Sequence, residues 1–170
     1  MNEKFIVSLI VSNHFGVLNR VAGLYGKRGY NIDSLAVGAT ENPEYSRMTI
    51  VSYGDDYMKD QVVRQLEKLH DVKLLTLMDS DMISDEHMLI KLSAGNGSKA
   101  DISELINSYG GKVMDFGDDF ITADITGTSE KIDEFISKAR DLGILELCRS
   151  GLISLAHGME NTLSIKNLIQ

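Results

Sequence analysis

Tryptophan is absent from this 170-residue chain, and cysteine and proline occur once each, at Cys148 and Pro43. A single cysteine excludes an intrachain disulfide framework and a thiolate metal cage, and it points to a reducing compartment. Its side chain reads as a small buried apolar group. Positive charge is also scarce, with 17 Lys and Arg against 25 Asp and Glu for a formal charge of -8. That sign opposes phosphate backbones, so no nucleic acid is expected as a direct partner. The apolar segment ending before Asn13 is seven residues long, too short for a signal core or a membrane span, which leaves a cytoplasmic protein with no membrane association as the expectation.

Reaction chemistry is equally thin. His14, His70, His87 and His157 are scattered without metal-ligand spacing and read as surface or loop residues, so no metal site is expected. Neither G-x-S-x-G nor a P-loop occurs, and Gly95-Asn96-Gly97 lacks the third glycine of a dinucleotide fingerprint. Asp118 and Asp119 sit in an expected turn where aspartate serves local hydrogen bonding, and Asp124 lies in the strand beyond it. No catalytic residue and no cofactor of its own is expected.

What the chain does contain is a pattern read twice. Lys4 to Val11 is a nearly continuous apolar run, expected as a central strand. Val17, Val21 and Leu24 then recur at helical spacing, and Lys27, Arg28 and Gly29 form a stop. Asn31 to Gly38 and Ser46 to Tyr53 read as a hairpin around Asn42-Pro43. Met58, Val62, Leu66 and Leu69 mark a second helix, and Val72 to Met78 a fourth strand. The same βαββαβ order returns after residues 79–86, with Ile102, Leu105, Ile106 and Tyr109 as one helix stripe and Ile132, Phe135, Ile136 and Ala139 as the other. Thr128 or Ser129 caps the last helix, and Ile144 to Arg149 is the last strand of the repeat. The fold class is therefore α+β, two ferredoxin-like βαββαβ modules in tandem. The expected boundaries are a first domain at 1–78, a linker at 79–86, a second domain at 87–158 and a tail at 159–170. Modules of this size gain stability by association, and the first strand has an apolar face left over once its helices are packed, so a homodimer is expected.

One segment resists a purely structural reading. From Ser12 to Val21 the central strand passes through Asn13, His14, Phe15 and Gly16 into a helix start. Free N–H groups at such a start bind carboxylates, glycine admits a ligand close to the main chain, and an Asn oxygen accepts from an ammonium. An amino acid fits those requirements, although a turn followed by a helix entry explains the same residues.

Asn13-His14-Phe15-Gly16-Val17-Leu18-Asn19-Arg20-Val21, Arg28-Gly29-Tyr30-Asn31-Ile32-Asp33-Ser34-Leu35 and Ser46-Arg47-Met48-Thr49-Ile50 together resemble the acetohydroxyacid (acetolactate) synthase small-subunit family. The likeness extends through Gln65 to Leu69, Met88 to Lys91 and Arg149 to Gly151. The resemblance implies an N-terminal ACT domain that dimerises and a second ferredoxin-like domain. It also implies activation of a catalytic large subunit that carries thiamine diphosphate, Mg and FAD in branched-chain amino acid (valine and isoleucine) biosynthesis. Carried over by position, it implies allosteric feedback inhibition by valine held by Asn13, Gly16 and Val17 of one protomer and Asn31 and Ile32 of the other. Activation of the catalytic subunit falls to Arg28, Gly29, Tyr30 and Asn31. At Ser12, His14 and Phe15 the chain departs from the family, whose members carry acidic residues around the Asn and a small residue or proline before the Gly. The competing expectation is a stand-alone tandem-ACT amino-acid sensor that controls transcription or another enzyme through protein contacts.

Overall fold

The computed structural model describes residues 3–78, 80–95, 99–159 and 162–168. The chain divides into two compact units, one formed by Met1–Ile83 with Leu152–Gln170 and one by Ser84–Gly151.

In the first unit, β1 (Glu3–Ser12), α1 (Val17–Gly26), β2 (Ser34–Ala39), β3 (Tyr45–Gly54), α2 (Asp56–Leu66) and β4 (Val72–Leu77) follow the expected order. The four strands pair antiparallel as β2-β3-β1-β4. Alternation along β1 sends Phe5, Val7, Leu9 and Val11 into one core with Val17, Val21 and Leu24 of α1 and Val62 and Leu66 of α2. Both helices therefore cover one face of the sheet. The α1 stop works as its sequence requires: Gly29 takes φ 67°, and the N–H groups of Tyr30 and Gly29 return to the carbonyls of Tyr25 and Gly26 at 3.0 and 3.1 Å. These paired bonds are a Schellman motif, and Tyr30 packs against the core beyond it.

The other face of that sheet carries Ile6, Ser8 and Ile10, all buried. The alternation in β1 predicts that a second copy covers this leftover apolar face, but the chain partly covers it itself. Leu152 packs with Ile6 and Val51, flanked by Met78 and Met82. Its N–H donates to Ser34 Oγ at 3.1 Å, and Arg47 Nη2 donates to the Ser154 carbonyl at 2.9 Å. Burial there lowers the Arg47 pKa from its usual value. The segment beyond the second module thus returns to the first unit as β9 (Ile153–Leu155), followed by a 3-10 turn at Ile165–Leu168. The second unit ends at Gly151, short of the expected 158, because Leu152 finds its apolar partners on the first sheet.

In the second unit, β5 (Ile83–Ser93), α3 (Lys99–Ser108), β6 (Lys112–Phe116), β7 (Phe120–Gly127), α4 (Ser129–Ala139) and β8 (Ile144–Arg149) repeat the order, with strands paired β6-β7-β5-β8. Met88, Ile90 and Leu92 pack with Ile102 and Ile106 of α3 and with Ile132, Phe135 and Ala139 of α4. Thr128 is the cap of α4, accepting from the Lys131 N–H, while Ser129 donates instead to Glu86 at 2.6 Å. The Gly95-Asn96-Gly97-Ser98 loop falls mostly outside the described residues.

Two expectations change here. β5 begins at Ile83, inside the stretch read as a linker, because Glu86 is a buried anchor held by Ser129 and by Arg149 at 2.6–2.7 Å. Cys148 is exposed rather than buried. It pairs in register with Leu89 and so lies on the face opposite Ile90, away from the α3 and α4 core.

These contacts give each unit its own weak point. Leu152→Ala should cost about 2–4 kcal/mol and remove amide-exchange protection from β1 and β3, measured by hydrogen exchange; unchanged protection would mean the returning segment carries no stability. Glu86→Ala, which leaves Arg149 with Asp133 alone, should cost about 3 kcal/mol and loosen β5 and α4 in the same measurement.

Candidate functional site

The segment leaving β1 is fastened from two sides. The Ser12 N–H donates to the Asp71 carbonyl at 2.9 Å, and the Asn13 N–H donates to the Glu44 carbonyl at 2.7 Å. Asn13 Nδ2 also donates to the Pro43 carbonyl at 2.9 Å, which commits the nitrogen of that side chain and leaves Oδ1 as an acceptor. Asn13 is thereby tied to the β2–β3 turn.

Gly16 is the N-cap of α1 in the left-handed region, with φ 87°, a conformation that glycine adopts without strain. It offers no side-chain oxygen, and the first turn of α1 has no acidic residue. By contrast, α2 is capped by Asp55, which accepts from Met58 N–H, and α4 by Thr128. The leading N–H groups of α1 are therefore left for an external acceptor, at the positive end of the helix dipole. Leu18 is half-exposed beside them, and Phe15 stands fully exposed, so its ring does not fill the space next to the helix start in this protomer.

Asp71 holds the loop from beneath. Its carboxylate accepts from Arg20 Nε at 2.7 Å and lies 3.0 Å from His14 Nε2. Burial raises its pKa, but the Arg20 hydrogen bond and the charges of Arg20 and His14 outweigh this and hold the carboxyl below its usual value. This residue escaped the sequence reading because it lies 51 and 57 positions from its partners, with no local periodicity to reveal it. The only hint was an acid placed directly before an apolar strand.

The site residues expected from the sequence have distinct placements. Asn13 and Gly16 come together at the α1 start. The Val17 side chain is buried in the core, so it presents only its main chain, and its N–H makes a long 3.4 Å contact with the His14 carbonyl. Asn31 is exposed, and Ile32 packs partly on the core, in the connection from α1 to β2. Of the activation residues, Arg28 is exposed with one amine 3.3 Å from the Leu24 carbonyl, whereas Gly29 and Tyr30 form the helix stop. Among the described residues, no group of three or more His, Cys, Asp and Glu could hold a metal ion.

Known proteins share this architecture along nearly the whole chain. A family model for the AHAS small subunit-like ACT domain matches residues 7–73, and one for the small subunit of acetolactate synthase matches residues 85–158. The acetolactate synthase small subunit of Haemophilus influenzae is 39% identical over 160 residues, covering 93% of this chain and 98% of the relative. The isozyme 3 small subunit of Salmonella typhimurium is 37% identical, covering 90% and 95%. The crystal structure of the Thermotoga maritima acetolactate synthase small subunit superposes with a TM-score of 0.86 at 31% identity, covering 92% of this chain and 99% of that one. With both modules matched in order, the chain belongs to the acetolactate synthase small-subunit family.

Proposed function

We propose that this chain is a regulatory subunit that activates the catalytic subunit of acetolactate synthase and confers feedback inhibition by valine. The reaction chemistry, with thiamine diphosphate, Mg and FAD, then resides on the catalytic partner, and this chain supplies binding energy and a conformational signal. The observation that carries the reading is the uncapped start of α1 beside Asn13. An amino-acid carboxylate meets N–H donors there, and its ammonium meets Asn13 Oδ1.

Strand direction supports a site shared by two copies. β2 is an edge strand with Val37, Gly38 and Ala39 exposed. Antiparallel pairing of β2 with β2 of a second copy places the start of one strand beside the end of the other. Asn31 and Ile32 precede that start, and the turn holding Asn13 follows that end. The two halves of the valine site thus meet across the proposed dimer. Asp71, neutralised by Arg20, does not repel the ligand carboxylate. Arg28 and Asn31, both exposed, are the residues of the 28–31 run available to the catalytic subunit, with Gly29 and Tyr30 setting their position.

The test is acetolactate formation by the purified catalytic subunit, with and without this chain, across a valine titration. Stimulation reversed by valine is expected; no stimulation with the catalytic subunit from the same source would overturn the assignment and favour a stand-alone sensor. Gly16→Asp should raise the half-inhibitory valine concentration about tenfold or more (~1.4 kcal/mol) while activation persists, since the new carboxylate occupies the ligand's place. The added Cβ meets the Arg20 guanidinium at 3.2 Å and Gly16 sits at φ 87°, so the substitution strains the backbone, and retained activation is the control that the unit still folds. Asn31→Ala should weaken valine inhibition with the dimer intact by ultracentrifugation, and a fall to monomer would assign Asn31 to the dimer interface instead.

A further inference from the structure

On the helical face of the first unit, α1 and α2 border an open groove of about 550 Å³ whose lining includes Arg20, Lys27, Arg28 and Lys68 and no carboxylate. The segment from Val17 through Arg28 holds three cations and no acid, in a chain where acids outnumber bases 25 to 17. Local needs account for only part of this charge. Arg20 Nε is held by Asp71, and one Arg28 amine contacts the Leu24 carbonyl at the end of its helix. Lys27 and Lys68 are exposed, and neither has an ion pair among the described residues. Within the lining Gly23 leaves room, with nothing within 4 Å of an added Cβ, and Leu24 and Leu69 contribute apolar surface.

We propose that this groove docks an acidic segment of the catalytic subunit, with Asp or Glu side chains against the cationic rim and an apolar residue over Leu24 and Leu69. The inference rests on the activating role proposed above and gives it a surface. A compact phosphate is a poorer fit. Lys27 and Lys68 lie just beyond the C-terminal ends of α1 and α2, where carbonyls rather than N–H groups are exposed, so a small anion gains no main-chain donors there. Dispersed, exposed cations add up against a surface carrying several carboxylates and steer its approach. The groove also joins Arg28 to residues absent from the 28–31 run, so docking extends along α1 rather than stopping at its end.

The experiment titrates the catalytic subunit with the full-length Lys27→Glu/Lys68→Glu double variant and with wild type, at low and high NaCl, reading acetolactate formation. The wild-type half-saturating concentration should rise with salt, and the variant should need about tenfold more protein while reaching the same plateau. Lys27→Arg/Lys68→Arg should behave as wild type. Equal half-saturation for the charge-reversed and wild-type chains, or no salt dependence, would overturn the docking surface while leaving activation standing. Failure of wild type to stimulate at all would instead remove the activating role itself. Calorimetry with pyrophosphate separates the remaining case: binding that is lost in the charge-reversed variant, with half-saturation unchanged, would reassign the groove to a small anion.

Discussion

Ile6 through Val11 are all buried, with Val7, Leu9 and Val11 facing the helices and Ile6, Ser8 and Ile10 facing the opposite side. β1 is also hydrogen-bonded along both edges, to β3 and to β4. A strand enclosed in this way has no free surface except at its ends, so the residues leaving it are positioned by everything packed around it. Ser12 and Asn13 inherit that precision, and two separate places hold them: the β2–β3 turn through Pro43 and Glu44, and the residue before β4 through Asp71, whose carboxylate Arg20 of α1 fixes in turn. A ligand site built there gains rigid main-chain donors without ordering a loop on binding.

The returning C-terminal segment belongs to the same constraint. The outer side of β1 carries two isoleucines that water would otherwise reach, and Leu152 with Met78 and Met82 covers part of that face. The β2 edge of the sheet stays unpaired within the chain among the described residues. The stability of that sheet thus depends in part on a segment that follows the second module in sequence, and so do the amino-acid site and dimer proposed at its edge. Loss of that segment should therefore loosen β1 and the residues that leave it.

Element order and core were legible because strand and helix periodicities are strong in this chain. Ile102, Ile106, Ile132 and Phe135 are all fully buried, as their spacing requires. Asn13 and Gly16 were legible because a polar break between an apolar strand and a helix stands out. What escaped the sequence depends on long-range partners. Glu86 looked like linker polarity until Arg149 and Ser129 closed around it, and Leu152 looked like part of the second domain until it met Ile6. Cys148 illustrates a different limit, since residue type favoured burial while strand register put the side chain on the outer face.

Duplication makes the functional asymmetry of the chain clearer. Both modules use the same strand order, and the first helix of each ends in the same paired bonds to a left-handed glycine, at Gly29 and at Gly110. Those shared features answer to folding and would be needed in any protein of this shape. The α1 start has a different character, because Gly16 sits at φ 87°, which suits glycine, and supplies no side-chain cap, so the leading donors are not taken up by the residue that precedes the helix. Asp55 and Thr128, by contrast, each commit a side-chain oxygen to the start of α2 and of α4. Main-chain donors left open at a start fastened to the central strand of the first sheet are what the proposed amino-acid site requires, since a carboxylate that binds them stabilises the folded unit by mass action.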